Sequence, residues 1–206
     1  MTIRKAEEKD ITRIIELLGQ VLQIHADIRP DIFIPGTTKY TVEELTELLK
    51  NEEKPIYVAV NESDVCVGYA FCQLQKQPFS NNMVQFKSLF IDDLCVDQQT
   101  RGQHIGESLF EHVKEEARKM NCYEVTLNVW SGNTSAEKFY EKMGMKTKER
   151  QMEYIPVSYP HLSMSSRKIQ SLRRIEGYGI PDNRNCFRVF CSRCIQGNTA
   201  SGRDVL

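Results

Sequence analysis

The sequence predicts a mixed α/β domain with a sheet at its centre. Short runs of apolar and β-branched residues indicate strands, and longer segments with apolar residues every three or four positions indicate amphipathic helices. Over residues 1–155 these segments follow the order β-αα-βββ-α-β-α-β. An alternation of this kind is typical of a sheet flanked by helices.

The first part of the chain supplies one strand and two helices. Residues 2–5 are predicted as a strand, and Asp10 is placed to cap a helix that runs to about Gln23. The segment His25–Tyr40 contains two prolines and a glycine and is predicted as a loop. A capping box that starts at Thr41 opens the second helix.

Three strands follow, and the last leads into a loop and a helix. They are predicted at residues 56–60, 65–74 and 83–96, the first two as a hairpin. The stretch Ser88–Met120 then reads as strand, loop and amphipathic helix, with Gly102 and Gly106 in the loop. Such a unit directs free backbone N–H groups and the positive end of a helix dipole at one point, which suits a phosphate or pyrophosphate.

The end of the domain is predicted as a strand, a short helix and a strand. Tyr123–Trp130 alternates as a strand. Asn133 begins a helix that Gly144 closes, and Met145–Ile155 is predicted as the last strand.

The segment 156–206 differs in character from the rest. It has no sustained periodicity and holds 8 Lys and Arg against 3 Asp and Glu. We predict a domain at 1–155 followed by a disordered or non-native basic tail. The tail's cysteines follow the spacing Cys186-x4-Cys191-x2-Cys194, one ligand short of a structural zinc site, so no metal is predicted.

Composition limits the classes of function. With 40% hydrophobic and 27% charged residues, the chain has the composition of a soluble globular protein. It has no apolar run approaching a membrane span and begins with a charged segment, so we expect a cytoplasmic protein without a membrane partner. Residues 1–155 hold 19 Lys and Arg against 25 Asp and Glu, which argues against nucleic acid as the main partner and suits a cationic amine.

Two motifs resemble those of a known enzyme family. The acetyl-CoA-binding motif of the GCN5-related N-acetyltransferases, the GNAT family, is similar to Asp92-Asp93-Leu94-Cys95-Val96, followed after four residues by Arg101-Gly102-Gln103-His104-Ile105-Gly106. Their second signature resembles the segment 133–145, with its asparagine, Phe-Tyr pair and glycine. The resemblance covers about residues 1–155. It implies the GNAT fold, a mixed, mostly antiparallel sheet flanked by helices, with strands 4 and 5 splayed.

The resemblance also implies the cofactor site. An acetyl group would pass from acetyl-CoA to a primary amine by direct attack, through a tetrahedral intermediate. The backbone of Leu94, Cys95 and Val96 would face the pantetheine and polarise the thioester carbonyl, and the amides of Arg101–Gly106 would hold the pyrophosphate. Direct transfer needs no covalent intermediate, so a nucleophilic Cys95 is disfavoured. His104 stands where the family usually has glycine, and we expect it to be accepted there with a helical φ.

Two side chains are the predicted catalytic groups. Tyr140 matches the family's general acid and would protonate the departing CoA thiolate. Asp92 would take the amine's proton, with a water relay as the alternative. Asp92 and Asp93 are expected on opposite faces of their strand, so that only one faces the cleft. Asn133 is expected to cap its helix, to contact the pantetheine arm, or both.

Several acceptors fit the sequence. The acidic body favours a small cationic amine, and His25, Asp27 and Asp31 lie where they either read such a substrate or supply ordinary loop polarity. The alternatives are a protein or peptide N-acetyltransferase and a non-catalytic acyl-CoA-binding regulatory module. A nucleotide-binding P-loop is excluded because the chain has no Gly-Lys-Ser/Thr sequence. A monomer and a homodimer are both compatible with these features.

Overall fold

The structure is a computed structural model that describes residues 1–77 and 79–156. Five strands form one sheet in the order of the chain, antiparallel except for the last pair, which is parallel. The strands are β1 (Thr2–Lys5), β2 (Ile56–Val60), β3 (Cys66–Lys76), β4 (Lys87–Val96) and β5 (Glu124–Leu127). The helices are α1 (Ile11–Ile28), α2 (Val42–Leu49), α3 (Ile105–Lys119) and α4 (Thr134–Lys142). The predicted mixed α/β class is confirmed.

Helices cover both faces of the sheet and create two apolar clusters. The first lies between the sheet and helices α1 and α2, and the second lies under α3, with α4 packed against its edge. Each buried side chain removes apolar surface from water, which is the main favourable contribution to folding. Representative members are Ile14, Leu17 and Tyr69 in the first cluster and Leu89, Leu109, Phe110 and Val113 in the second.

Local capping signals are confirmed at two of three helix starts. Thr41 Oγ1 accepts the Glu44 N–H at 3.2 Å, and the Glu44 carboxylate accepts the Thr41 N–H at 2.9 Å. The side chain of Asn133 accepts an N–H of the first turn of α4 at 3.2 Å. Asp10 makes no such bond to α1, because its carboxylate is engaged by the guanidinium of Arg4 at 2.7 Å.

Several predicted boundaries are wrong: β4 begins at Lys87 and not at Met83, and β5 spans Glu124–Leu127 and not Tyr123–Trp130. Helix α1 continues beyond Gln23 to Ile28 because Ala26, on its inner face, is buried. Helix α1 ends at Ile28, two residues before Pro30, because a proline disfavours helical backbone angles in the residue that precedes it. The described part of the segment after Gly144, residues 145–156, forms no strand.

Side-chain ion pairs hold that last segment instead. Lys148 Nζ lies 2.6 Å from Glu124 on β5, and Glu153 lies 2.7 Å from Arg29 at the end of α1. The predicted tail and its cysteines lie outside the described residues. Among the residues described, no helix is long and apolar enough to cross a membrane.

Candidate active site

Strands β4 and β5 pair only along the first half of β4. Their parallel pairing runs from Ser88 opposite Glu124 to Ile91 opposite Leu127. Strand β4 then continues over 92–96, where no other described residue pairs with it on that side. Backbone groups along this edge are therefore free of the β5 ladder, which is the splayed arrangement that the resemblance implies.

A β-bulge marks the point of divergence. On the other side of β4, Asp93 pairs with Phe71 and Ile91 pairs with Cys72, so Asp92 is an extra residue without a partner in β3. A bulge shifts the alternation of a strand by one position. Ile91 accordingly packs in the cluster under α3, whereas Cys95, four residues on, packs in the cluster under α1.

The expected placement of Asp92 and Asp93 on opposite faces does not hold, because the bulge interrupts the alternation. Both carboxylates act on the same cation, Lys39, from the loop between α1 and α2. Lys39 Nζ lies 2.7 Å from Asp92 Oδ2 and 5.5 Å from the ring centre of Tyr40. Burial lowers the pKa of Lys39, but the carboxylates of Asp93 and Asp92 outweigh it and leave that pKa above its ordinary value. Lys39 is thus an ammonium held at the bulge.

Asp93 is the more deeply placed of the two acids. The hydroxyl of Tyr69 donates a hydrogen bond to its carboxylate at 3.2 Å. Burial raises the pKa of Asp93 to about 6, against the lowering influence of Lys39. A carboxyl with such a pKa changes its protonation state near the operating range of most enzymes.

Tyr140 projects from α4 toward the same region. Its ring is half-buried, 5.0 Å from the ring of Phe139 and 5.9 Å from that of Phe110. Burial raises the pKa of the phenol, and the nearby charge of Asp93 raises it further. Tyr140 is therefore protonated at neutral pH and has a proton to donate. Tyr140 and Phe139 both pack, partly buried, against the cluster under α3.

The loop before α3 has a left-handed backbone at two positions. Gly102 has φ +80° and His104 has φ +59°. The expectation of a helical φ at His104 is wrong, and the conformation explains why glycine suits this position, since a side chain in the left-handed region is strained. The imidazole projects outward, 73% exposed, with Nδ1 3.1 Å from Glu107.

Helix α3 presents free amides at the end of this loop. Its first hydrogen bond runs from Ser108 N–H to the His104 carbonyl at 3.0 Å, so the preceding amides, including those of Ile105 and Gly106, have no helical acceptor. A side chain added at Gly106 would meet the ring of Phe139 at 3.5 Å, an ordinary contact. Gly106 lies beside this ring and its φ is not left-handed, so neither space nor backbone conformation requires glycine there.

Asp97, which the sequence reasoning missed, anchors the loop from beneath. Its carboxylate is buried, accepts hydrogen bonds from the guanidinium of Arg13 and from Gln20 at 3.3 Å, and accepts the Gln99 N–H at 3.2 Å. The backbone N–H of Asp97 also bonds to Val67 on β3 at 2.9 Å. An aspartate that directly ends an apolar strand, four residues before Arg101, was the only sequence signal for this role.

The side chains of Leu94, Cys95 and Val96, which follow the two acids on the free edge, are apolar or inert. Cys95 is 4% exposed and its Sγ lies 3.7 Å from the carbonyl of Leu17. Burial raises the pKa of the Cys95 thiol to about 12, so a thiolate nucleophile is disfavoured. Leu94 and Val96 are half-buried against the cluster under α3, which leaves their backbone as the polar feature of the edge.

An aromatic wall stands beside the site. The ring of His25 lies 5.1 Å from that of Phe33, which lies 5.3 Å from the ring of Trp130 after β5. His25 and Asp27 were predicted in a loop but belong to α1, and burial lowers the pKa of His25.

Asp31 does lie in the loop, but its carboxylate is held by Arg29 at 2.7 and 2.9 Å. That guanidinium lowers the pKa of Asp31. Asp31 and Asp92 are thus both ion-paired, Asp31 with Arg29 and Asp92 with Lys39. Within residues 1–77 and 79–156, no group of three or more His, Cys, Asp or Glu is placed to hold a metal ion.

A splayed strand edge beside a bulge, with free helix amides at one end and a protonated tyrosine at the other, is the arrangement of an acyl-CoA-dependent transferase. Residues 20–145 match the family described as "Acetyltransferase (GNAT) family". The chain belongs to the GNAT acetyltransferases and is an acetyl-CoA-dependent N-acetyltransferase.

Known relatives differ in their acceptors. The chain is 32% identical over 124 residues to the "Peptidyl-lysine N-acetyltransferase YjaB" of Salmonella typhimurium, covering 59% of this chain and 72% of that protein. It is 29% identical over 151 residues to the "Glucosamine 6-phosphate N-acetyltransferase" of Arabidopsis thaliana, covering 73% and 93%. A mutant of the BH1408 protein from Bacillus halodurans has a similar structure, with a TM-score of 0.73, 29% identity and coverage of 76% and 100%.

Proposed function

We propose that this enzyme acetylates a small cationic primary amine and that residues 1–155 contain everything the reaction needs. The observation that carries the proposal is the ammonium of Lys39 held against Asp92, with Asp93 acting on the same charge. A pair of carboxylates at the end of the β4–β5 pairing that binds one ammonium has the charge to bind another.

The described residues fit acetyl-CoA. The free amides at the start of α3, together with Arg101 to His104, supply donors and positive potential for the pyrophosphate. The unpaired edge Leu94–Val96 offers backbone groups to the pantetheine amides, and an N–H there would stabilise the oxyanion. Asn133 caps α4, and its remaining amide capacity is available to the pantetheine arm.

The same residues divide the proton transfers. An amine attacks only when neutral, so Asp92 takes its proton, directly or through a water. Tyr140 donates a proton to the departing thiolate from the opposite side of the edge. Cys95 takes no part, because its buried thiol is uncharged.

A lysine side chain of a peptide or protein is the second candidate acceptor. Lys39 is itself a lysine side chain at the bulge, and the Salmonella relative is named as a peptidyl-lysine acetyltransferase. A lysine peptide and a small diamine present the same ammonium group. The two acceptors differ only in how much further they extend from it, along the rings of His25, Phe33 and Trp130.

The test is thiol release from acetyl-CoA over a panel of acceptors. The panel contains putrescine, spermidine, free lysine, a lysine-containing peptide and glucosamine 6-phosphate. We expect turnover with the cationic amines, and Asp92→Asn should lower kcat/KM for them at least about tenfold. A matched control is Glu111→Gln, whose carboxylate lies 2.7 Å from Lys114 on the exposed face of α3.

The outcomes distinguish between the two candidate acceptors. Turnover with the small amines supports the proposal. Turnover confined to the peptide would instead support a peptide or protein lysine as the acceptor. Binding of CoA without thiol release for any acceptor of the panel would contradict both acceptor assignments.

A further inference from the structure

We propose that Lys39 is an acceptor of this enzyme, so that the protein acetylates its own Lys39 side chain. The inference rests on the proposed function, because it uses the same free edge and the same acid and base. It adds a modification site on the chain itself.

Position is the first argument. Asp92 is the first residue beyond the last β4–β5 pair, at Ile91 and Leu127, and the amine nitrogen of Lys39 lies 2.7 Å from its carboxylate. The nitrogen is thus in direct contact with the residue proposed to take the acceptor's proton. An incoming amine would have to occupy the same place.

The tether is the second argument. Lys39 lies between α1 and α2, in a segment without helix or strand, and its amine is carried on four methylene groups. The Lys39 and Asp92 side chains are 36% and 38% exposed, so the ion pair can open to solvent at small cost. A reactant attached to the site has a high effective concentration compared with a free one.

The chemistry balances with acetyl-CoA as the only co-reactant. The Lys39 ammonium gives one proton to Asp92, and the free amine attacks the thioester carbonyl. The C–S bond breaks as the amide C–N bond forms, the thiolate takes a proton from Tyr140, and the nitrogen's second proton restores the phenol. The products are Nε-acetyl-Lys39, CoA and one proton released to solvent.

Acetylation would change the site it occurs in. The amide of acetyl-Lys39 carries no charge, so Asp92 loses its ammonium partner and both acids become available to an external cation. Modified protein should therefore show a lower KM for cationic amines than unmodified protein.

The experiment follows acetyl occupancy of individual lysines by peptide mass spectrometry, after the full chain is incubated with acetyl-CoA. Lys50 is the matched control, because its Nζ also lies 2.7 Å from a carboxylate, that of Glu47, at the end of α2. We expect Lys39 to be acetylated at least tenfold faster than Lys50, at a rate constant independent of protein concentration. Tyr140→Phe should slow modification of Lys39 and leave Lys50 unchanged.

Equal rates at Lys39 and Lys50, or a rate at Lys39 that Tyr140→Phe leaves unaltered, would overturn the inference. So would a rate constant that grows with protein concentration, since it would show transfer between molecules. If external amines turn over while Lys39 stays unmodified, the inference alone fails. If Lys39 is modified while no external amine reacts, self-acetylation stands and the proposed external acceptor is wrong.

Discussion

The guanidinium of Arg13 on α1 binds the buried carboxylate of Asp97, which directly follows β4 and begins the loop to α3. Asp97 also holds the turn that precedes Arg101 through the Gln99 N–H. Helix α1 and the proposed pyrophosphate loop are therefore joined through one side chain. A buried charge of this kind is strongly destabilising when its partner is removed.

Asp97→Asn should weaken both the fold and the cofactor site. We expect the free energy of unfolding in urea to fall by about 2–3 kcal/mol, because Arg13 loses its buried partner but remains partly exposed. The KM for acetyl-CoA should rise severalfold, with kcat at saturation changed less, since the substitution displaces the loop and not the reacting groups.

The matched control is Glu16→Gln. Glu16 binds the same guanidinium at 2.5 Å, but it is 55% exposed and does not touch the loop. We expect an unfolding free energy within about 0.5 kcal/mol of the wild type, and an unchanged KM. Equal effects of the two substitutions on the KM would show that Asp97 has no special relation to the loop.

His104→Gly should stabilise the protein. The left-handed φ of His104 is strained for a residue with a Cβ, and glycine removes that strain at the cost of greater freedom in the unfolded chain. We expect a gain of up to about 1 kcal/mol by urea unfolding and CoA affinity at least as high by calorimetry. His104→Ala keeps the strain and loses the contact with Glu107, so an alanine variant more stable than the glycine variant would contradict the argument.

Local signals in the sequence predicted the helix caps. They did not predict which side chains of β4 face which side of the sheet. Thr41 and Asn133 act through atoms three residues away, so their roles are readable from neighbouring letters. The bulge at Asp92 depends on which β3 residue pairs with Ile91, a tertiary fact. A strict alternation therefore assigned the two acids to different faces.

Lys39 was missed for a similar reason. It lies 53 residues before Asp92, in a loop whose sequence gives no helix or strand signal, and only the fold brings the two together. The left-handed φ of His104 is different, because the family's glycine at that position already indicated it. A glycine that recurs in a tight loop is better read as a requirement for positive φ than as one for space alone.

Asp93 should make stability depend on pH in an identifiable window. Its pKa of about 6 in the folded protein lies above the value of about 4 expected in the unfolded chain. Between these values the folded state binds the extra proton, so the group stabilises the fold at low pH and this contribution is lost as pH rises through about 6.

Asp93→Asn removes that titration. We expect the stability of the variant relative to the wild type to increase between pH 5 and pH 7 by about 1 kcal/mol, measured by urea unfolding at each pH. Other titrating groups contribute equally to both proteins and cancel. A difference that stays constant with pH would mean that Asp93 titrates near its ordinary value.

Tyr140→Phe should remove the proton donor and leave the packing of α4 in place. The ring contacts with Phe139 and Phe110 are kept by phenylalanine, so the melting temperature should change little. We expect kcat to fall about 100-fold and the dissociation constant of CoA to stay within about twofold, because the phenol acts only on the leaving thiolate. Tyr123→Phe is the control, since Tyr123 is 77% exposed. Wild-type turnover by the Tyr140 variant, with every good acceptor, would show that the thiolate takes its proton from water or another group.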